Sequence, residues 1–224
     1  VLFTHYIQHY PLNKTSGKLD MFPAQSLETW QCPSADRNNC VTNPSEQVAG
    51  LRVVSTRLLS LPSNFGTATQ RKLWQNINDL APELPLMETH GVTVVSPGLH
   101  LPPKQSNSEN PETYSIHPFR IFQWFKPNLT LGENTYKYRR HPCNSGWCYD
   151  ILDTALLGMT NETQSMVLQR AANSKSGSPW KWNGFTGHFQ DYEPSVDHLS
   201  WMRTAIHYML IQNNFETKEI YLFP

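Results

Sequence analysis

The chain has 224 residues, enough for one large domain or two small ones. Its 18 basic and 18 acidic residues cancel, which argues against nucleic acid or an anionic membrane as a partner. Twelve per cent aromatic content, with seven Trp and 17 Pro, describes a loop-rich protein whose rings serve either a core or a binding surface.

Taken in order, residues 1–12 place Leu2, Phe3, Tyr6, Ile7 and Tyr10 at helical spacing before Pro11, which predicts a short helix. A loop follows, Pro23-Ala-Gln-Ser-Leu-Glu28-Thr-Trp30, in which a carboxylate stands beside an indole. Thr42-Asn43-Pro44-Ser45 is a helix-start signal, with Val48, Leu51, Val54, Leu58 and Leu61 forming the inward stripe until Pro62. Thr67 is placed to cap a second helix carrying Leu73, Ile77 and Leu80 inward, stopped by Pro82. Residues 91–96 read as a strand. From Pro97 to Pro127 the pattern predicts one long loop, and loops of that length in compact domains tend to carry function. Helices are expected over 147–158, ended by Gly158, and from Thr160 to Ala172. A last helix spans 196–213, with Leu199, Met202, Ile206, Met209 and Leu210 inward, and 219–224 closes as a strand.

The stretch 180–198 concentrates Asp191, Glu193, Asp197, His188 and His198 among five aromatic rings, interrupted by Gly184 and Gly187. Ser195 is a good N-cap for the helix that follows, and Asp197 then falls in its first turn. A solvated surface loop explains the charges equally well, because a first-turn carboxylate needs no catalytic role. Cys32 with Cys40 and Cys143 with Cys148 form two close pairs, for which two local disulfides are the simplest assignment. A zinc site is the competing assignment, with His141 as the nearest further ligand. Three sequons, at Asn13, Asn128 and Asn161, permit N-glycosylation. Sequons and paired cysteines together point to an oxidising compartment: secreted, extracellular, lysosomal or cell-surface. No signal-peptide pattern is visible, so any targeting segment is expected to have been removed or to lie outside this chain. No apolar run approaches the roughly 20 residues that a membrane span needs.

With these segments laid out, the chain resembles the C-terminal part of the (α/α)6 six-hairpin glycosidases, nearest to the inverting alpha-L-fucosidase-like enzymes. The match rests on Pro23-Ala-Gln-Ser-Leu-Glu28-Thr-Trp30 followed by Val41-Thr-Asn-Pro44 and Val48–Val54. It continues through Tyr114 to Phe119, Trp147 to Gly158, and Asp197 read with Met209–Gln212 and Ile220–Pro224. The resemblance implies a mainly α fold, a helical-hairpin toroid-type barrel present in part, with long loops and a few short strands. Residues 1–224 would then be part of a single catalytic domain, a fragment of a longer chain whose remainder is a partner. It also implies inverting hydrolysis, with Glu28 as the general acid and Asp197 as the general base. Such a pair stands roughly 6.5–9.5 Å apart to admit a water.

Within that frame Trp30, Trp147, Trp180 and Trp182 are candidates to stack on sugar faces, and His117, Asn183 and His188 to bind hydroxyls. Glu193, on the same loop as Asp197, is the rival base. Each tryptophan equally fits a packing role, and His117 beside Pro118 fits a structural one. The substrate would be a carbohydrate, with no cofactor and no metal required. The competing expectation is a glycosidase-like domain without turnover, acting as an extracellular structural, adhesive or glycan-binding part. The bulk of Trp201 close to Asp197 motivates it.

Overall fold

The computed structural model describes residues 1–144, 148–172 and 196–224. These residues fold mainly as helices, and the chain parts into two compact units, Val1–Ile121 and Phe122–Pro224. Among the described residues a closed toroid is not seen.

In the first unit α1 (Leu2–His9) stops before Pro11, as the sequence predicts. Next, α2 (Ser45–Leu59) packs along α3 (Ala68–Leu80). The start of α3 follows from a complete capping box: Thr67 Oγ1 accepts from Gln70 N at 3.2 Å, and Thr67 N donates to Gln70 Oε1 at 2.7 Å. Phe3, Leu19, Met21, Val48, Leu51, Ile77 and Ala81 make the core between the three helices. The stripe on α2 departs from expectation at Val54, which is 42% exposed, while Ser55 is fully buried. Ser55 satisfies itself by donating to Leu51 O at 2.6 Å, so the buried face runs 48, 51, 55, 58 at true helical spacing.

A ribbon follows, β1 (Leu86–Thr89) paired antiparallel with β2 (Val92–Val95) in the register Leu86 to Val95. The two-residue turn His90-Gly91 has φ of 50° and 75°, the positive pair that a tight hairpin demands and that Gly91 supplies without strain. The expected long loop is broken by a 3-10 helix at Pro111–Ser115, which packs on α2.

In the second unit the first helix, α4 (Leu129–Lys137), lies just past the predicted loop, in a stretch to which the sequence pattern assigns no element. After it come α5 (Asp150–Leu156), α6 (Thr160–Ala172) and α7 (Val196–Leu210). A core of Ile151, Leu152, Ala155 and Ala205 joins α5 to α7, with Met166, Val167, Trp201 and Met209 packed around it. Instead of running to residue 213, α7 stops at Leu210, where β3 (Ile211–Asn214) begins and pairs with β4 (Glu219–Leu222). Among the described residues no helix is long and apolar enough to cross a membrane.

Candidate active site

The segment that carries Glu28 is a five-residue turn closed by its own backbone. Ser26 N donates to Trp30 O, and Trp30 N donates to Ser26 O, both at 3.1 Å. Leu27 takes a positive φ of 45° to complete the reversal. Glu28 therefore stands at the tip with an exposed side chain. Trp30, the closing residue, is only 1% exposed, and its indole N–H donates to Pro102 O at 3.2 Å. The expected role of Trp30 as a sugar platform is not met, since a ring with no open face is core packing.

The loop from Pro102 onward lies against this turn and is hydrogen-bonded to it at several points. Ser106 N donates to Thr29 O at 2.8 Å, and Glu109 N donates to Thr29 Oγ1 at 3.1 Å. Asn107 Nδ2 donates to Glu28 Oε2 at 3.1 Å. The Glu28 backbone N–H donates to Glu109 Oε2 at 2.7 Å. Glu28 and Glu109 thus form a carboxylate pair at the surface. Glu109 is half-buried, and that burial, with the charge of Glu28 beside it, raises its pKa, opposed by the N–H it accepts.

Beneath the turn lies a second pair of acids, Glu46 and Glu112, 7% and 3% exposed. Ser26 Oγ donates to Glu46 Oε2 at 3.1 Å, so one residue links the turn to the buried acid. Burial pushes the Glu46 carboxyl up to about 8, with Glu112 adding to the rise. Tyr6 faces the same region, its hydroxyl donating to Gln47 Oε1 at 3.0 Å, and burial raises it to about 12. His117 is largely buried on the same loop, and desolvation aided by Arg120 lowers it to about 4. It is a neutral imidazole at ordinary pH, in keeping with the structural role.

Sequence reasoning did not single out Glu46, Asn107, Glu109 or Glu112 as site residues. The available signal was the long loop itself, which carries Glu109-Asn-Pro-Glu112 among its prolines. Among the described residues no group of three or more His, Cys, Asp or Glu is arranged to hold a metal ion.

In the second unit, Asp197 lies in the first turn of α7. Trp147, Trp180, Trp182, Asn183, His188 and Glu193 lie outside the described residues, as does Ser195. Trp201 packs edge-on against Tyr149, ring centroids 5.1 Å apart at 87°, on the α5 side of α7. The four cysteines form two disulfides, Cys32–Cys40 and Cys143–Cys148, which removes the zinc alternative and fits an oxidising compartment. Asp150, 2% exposed, holds the second disulfide loop. Its Oδ2 accepts from Arg139 Nε at 2.8 Å, Arg139 Nη2 at 2.6 Å and Cys143 N at 2.7 Å. Asn13, Asn128 and Asn161 are all exposed, though Thr163 of the last sequon is buried and donates to Met159 O.

In comparisons with known proteins, no protein-family model matches this chain, and no curated protein is significantly similar to it.

Proposed function

We propose that the chain is part of a secreted glycoside hydrolase that cleaves a glycosidic bond in a glycan with inversion. In this reading it supplies one segment of an (α/α)6 barrel in a longer protein. The observation that carries the reading is Glu28: an exposed carboxyl at the tip of a turn locked by its own backbone and braced by a neighbouring loop. A general acid must be presented to the leaving oxygen at a fixed position, and a closed turn does that where a free loop would not. Asp197 is the general base that activates water on the opposite face of the sugar, with Glu193 as its rival. Trp147, Trp180, Trp182, Asn183 and His188 line the sugar site on this reading, and no cofactor is needed.

The test is turnover of a glycan panel by the full-length protein. Glu28→Gln and Asp197→Asn should each lower kcat by about 10³-fold or more while glycan binding persists. Full activity in either variant removes that residue from the mechanism.

A second reading is favoured by the burial of Trp30 and the largely buried, neutral His117, two expected sugar contacts that face inward. A glycosidase-like domain without turnover would bind glycans or serve a structural or adhesive role outside the cell. It predicts no hydrolysis across the panel by the unmodified protein.

A further inference from the structure

Glu109 is one of the residues through which its loop grips the Glu28 turn, and the one that holds the Glu28 backbone. Its Oε2 takes the Glu28 backbone N–H at 2.7 Å and lies 3.5 Å from the Thr29 hydroxyl. Its own N–H returns to Thr29 Oγ1 at 3.1 Å. Two residues earlier Asn107 reaches the other end of the acid, donating to Glu28 Oε2. One loop therefore holds Glu28 by its backbone and by its carboxyl at once. Among the described residues no ion pair reaches either Glu28 or Glu109. The charge of Glu28, with burial, raises the Glu109 carboxyl.

We infer that Glu109 is the positioning residue for Glu28, fixing the turn that displays it through the Glu28 amide. This rests on the reading of Glu28 as general acid. In that reading the proton leaves Glu28 for the leaving oxygen as the glycosidic bond breaks, while Glu109 keeps its hold on the Glu28 amide. Glu28 is the charged group that faces Glu109, and Thr29 and Asn107 complete its polar surroundings.

Two variants separate the roles. Glu109→Gln keeps an oxygen to accept the amide and deletes the charge, whereas Glu109→Ala deletes both. With glycan as substrate, Glu109→Ala should lower kcat at least about tenfold with KM within about twofold. Glu109→Gln should restore kcat to within about twofold of the unmodified protein, because its amide oxygen can still accept the Glu28 N–H. Two readouts stand apart from turnover. Hydrogen exchange at the Glu28 amide should accelerate in Glu109→Ala and not in Glu109→Gln. The Glu109 carboxyl, followed by carbon NMR, should titrate lower in Glu28→Gln than in the unmodified chain. If the unmodified protein turns over no glycan, the hydrolase reading falls, and the exchange and NMR results alone decide the positioning claim. Unchanged Glu28 exchange in Glu109→Ala, or an unmoved Glu109 titration in Glu28→Gln, overturns it.

Discussion

Glu46 sits where two effects oppose each other. The first turn of a helix favours an anion by roughly 0.3–1 kcal/mol, yet removing a carboxylate from water costs several kcal/mol. Burial wins, and the folded carboxyl keeps its proton up to about 8 where the unfolded one loses it near 4.5. The stability from this group is complete below 4.5 and is lost as pH rises to about 8. His117 runs the other way. Its folded imidazole stays neutral down to about 4 against 6.5 unfolded, so its contribution is complete above 6.5 and is lost as pH falls. Between 4.5 and 6.5 the two slopes, each about 1.4 kcal/mol per pH unit, cancel. Chemical denaturation of the unit Val1–Ile121 should therefore show a plateau there and a fall of about 2 kcal/mol from pH 6.5 to 8. Glu46→Gln, which can still accept from Ser26, should abolish that fall; a wild-type profile as flat as the variant's would show that Glu46 is not a buried neutral acid. Nothing in the sequence foretells this, because Ser45-Glu46 after a proline looks like any helix start with a solvated first-turn acid.

Among the elements, those with strong local chemistry were legible in the sequence. The Thr67 cap, the Pro11 stop, the short closing strand and α6 all follow from residues within one turn of the event. What escaped was decided by distant partners. Leu86-Met-Glu-Thr has little intrinsic strand character and becomes β1 by pairing with β2. The helix α4 hides behind Pro127 and contains Gly132, a poor helix residue. The position needs glycine because an added Cβ would lie 2.6 Å from the Phe122 Cβ. Likewise α7 is cut short by β-pairing at Ile211, which helical periodicity does not register. In α5 the first-turn acid Asp150 is the structural anchor of its unit, with Arg139 itself 8% exposed. Replacing Asp150 by Ala leaves a buried guanidinium without its carboxylate and should cost about 3–5 kcal/mol in denaturant unfolding. Glu83→Ala, which breaks a pair whose carboxylate is 75% exposed, should cost at most about 1 kcal/mol. Equal effects would mean that the buried pair contributes no more than the exposed one.

At the scale of the whole molecule, each compact unit carries its own disulfide, with sequence separations of 8 and 5. Loops that short restrict the unfolded chain modestly, by about 2–2.5 kcal/mol each in the chain-entropy view. Reduction should lower the unfolding midpoints of the two units separately, and Cys32→Ser with Cys40→Ser should leave the midpoint of Phe122–Pro224 unchanged. A single shared shift in calorimetry would show instead that the units unfold as one. The candidate site was legible to the extent that Glu28 was marked by its neighbours in sequence. The acid that braces it, Glu109, comes from 81 positions away, and no local pattern encodes such a meeting.

The burial of Trp30 has a practical corollary. A buried ring anchors the base of the turn that displays Glu28, so damage to the indole or to its bond with Pro102 would surface twice. On the proposed hydrolase reading a kinetic screen would register it as a defective enzyme, and a melting curve as a loosened scaffold. Read alone, either assay would misassign the cause, and only side-by-side measurement would trace both symptoms to one hidden foundation.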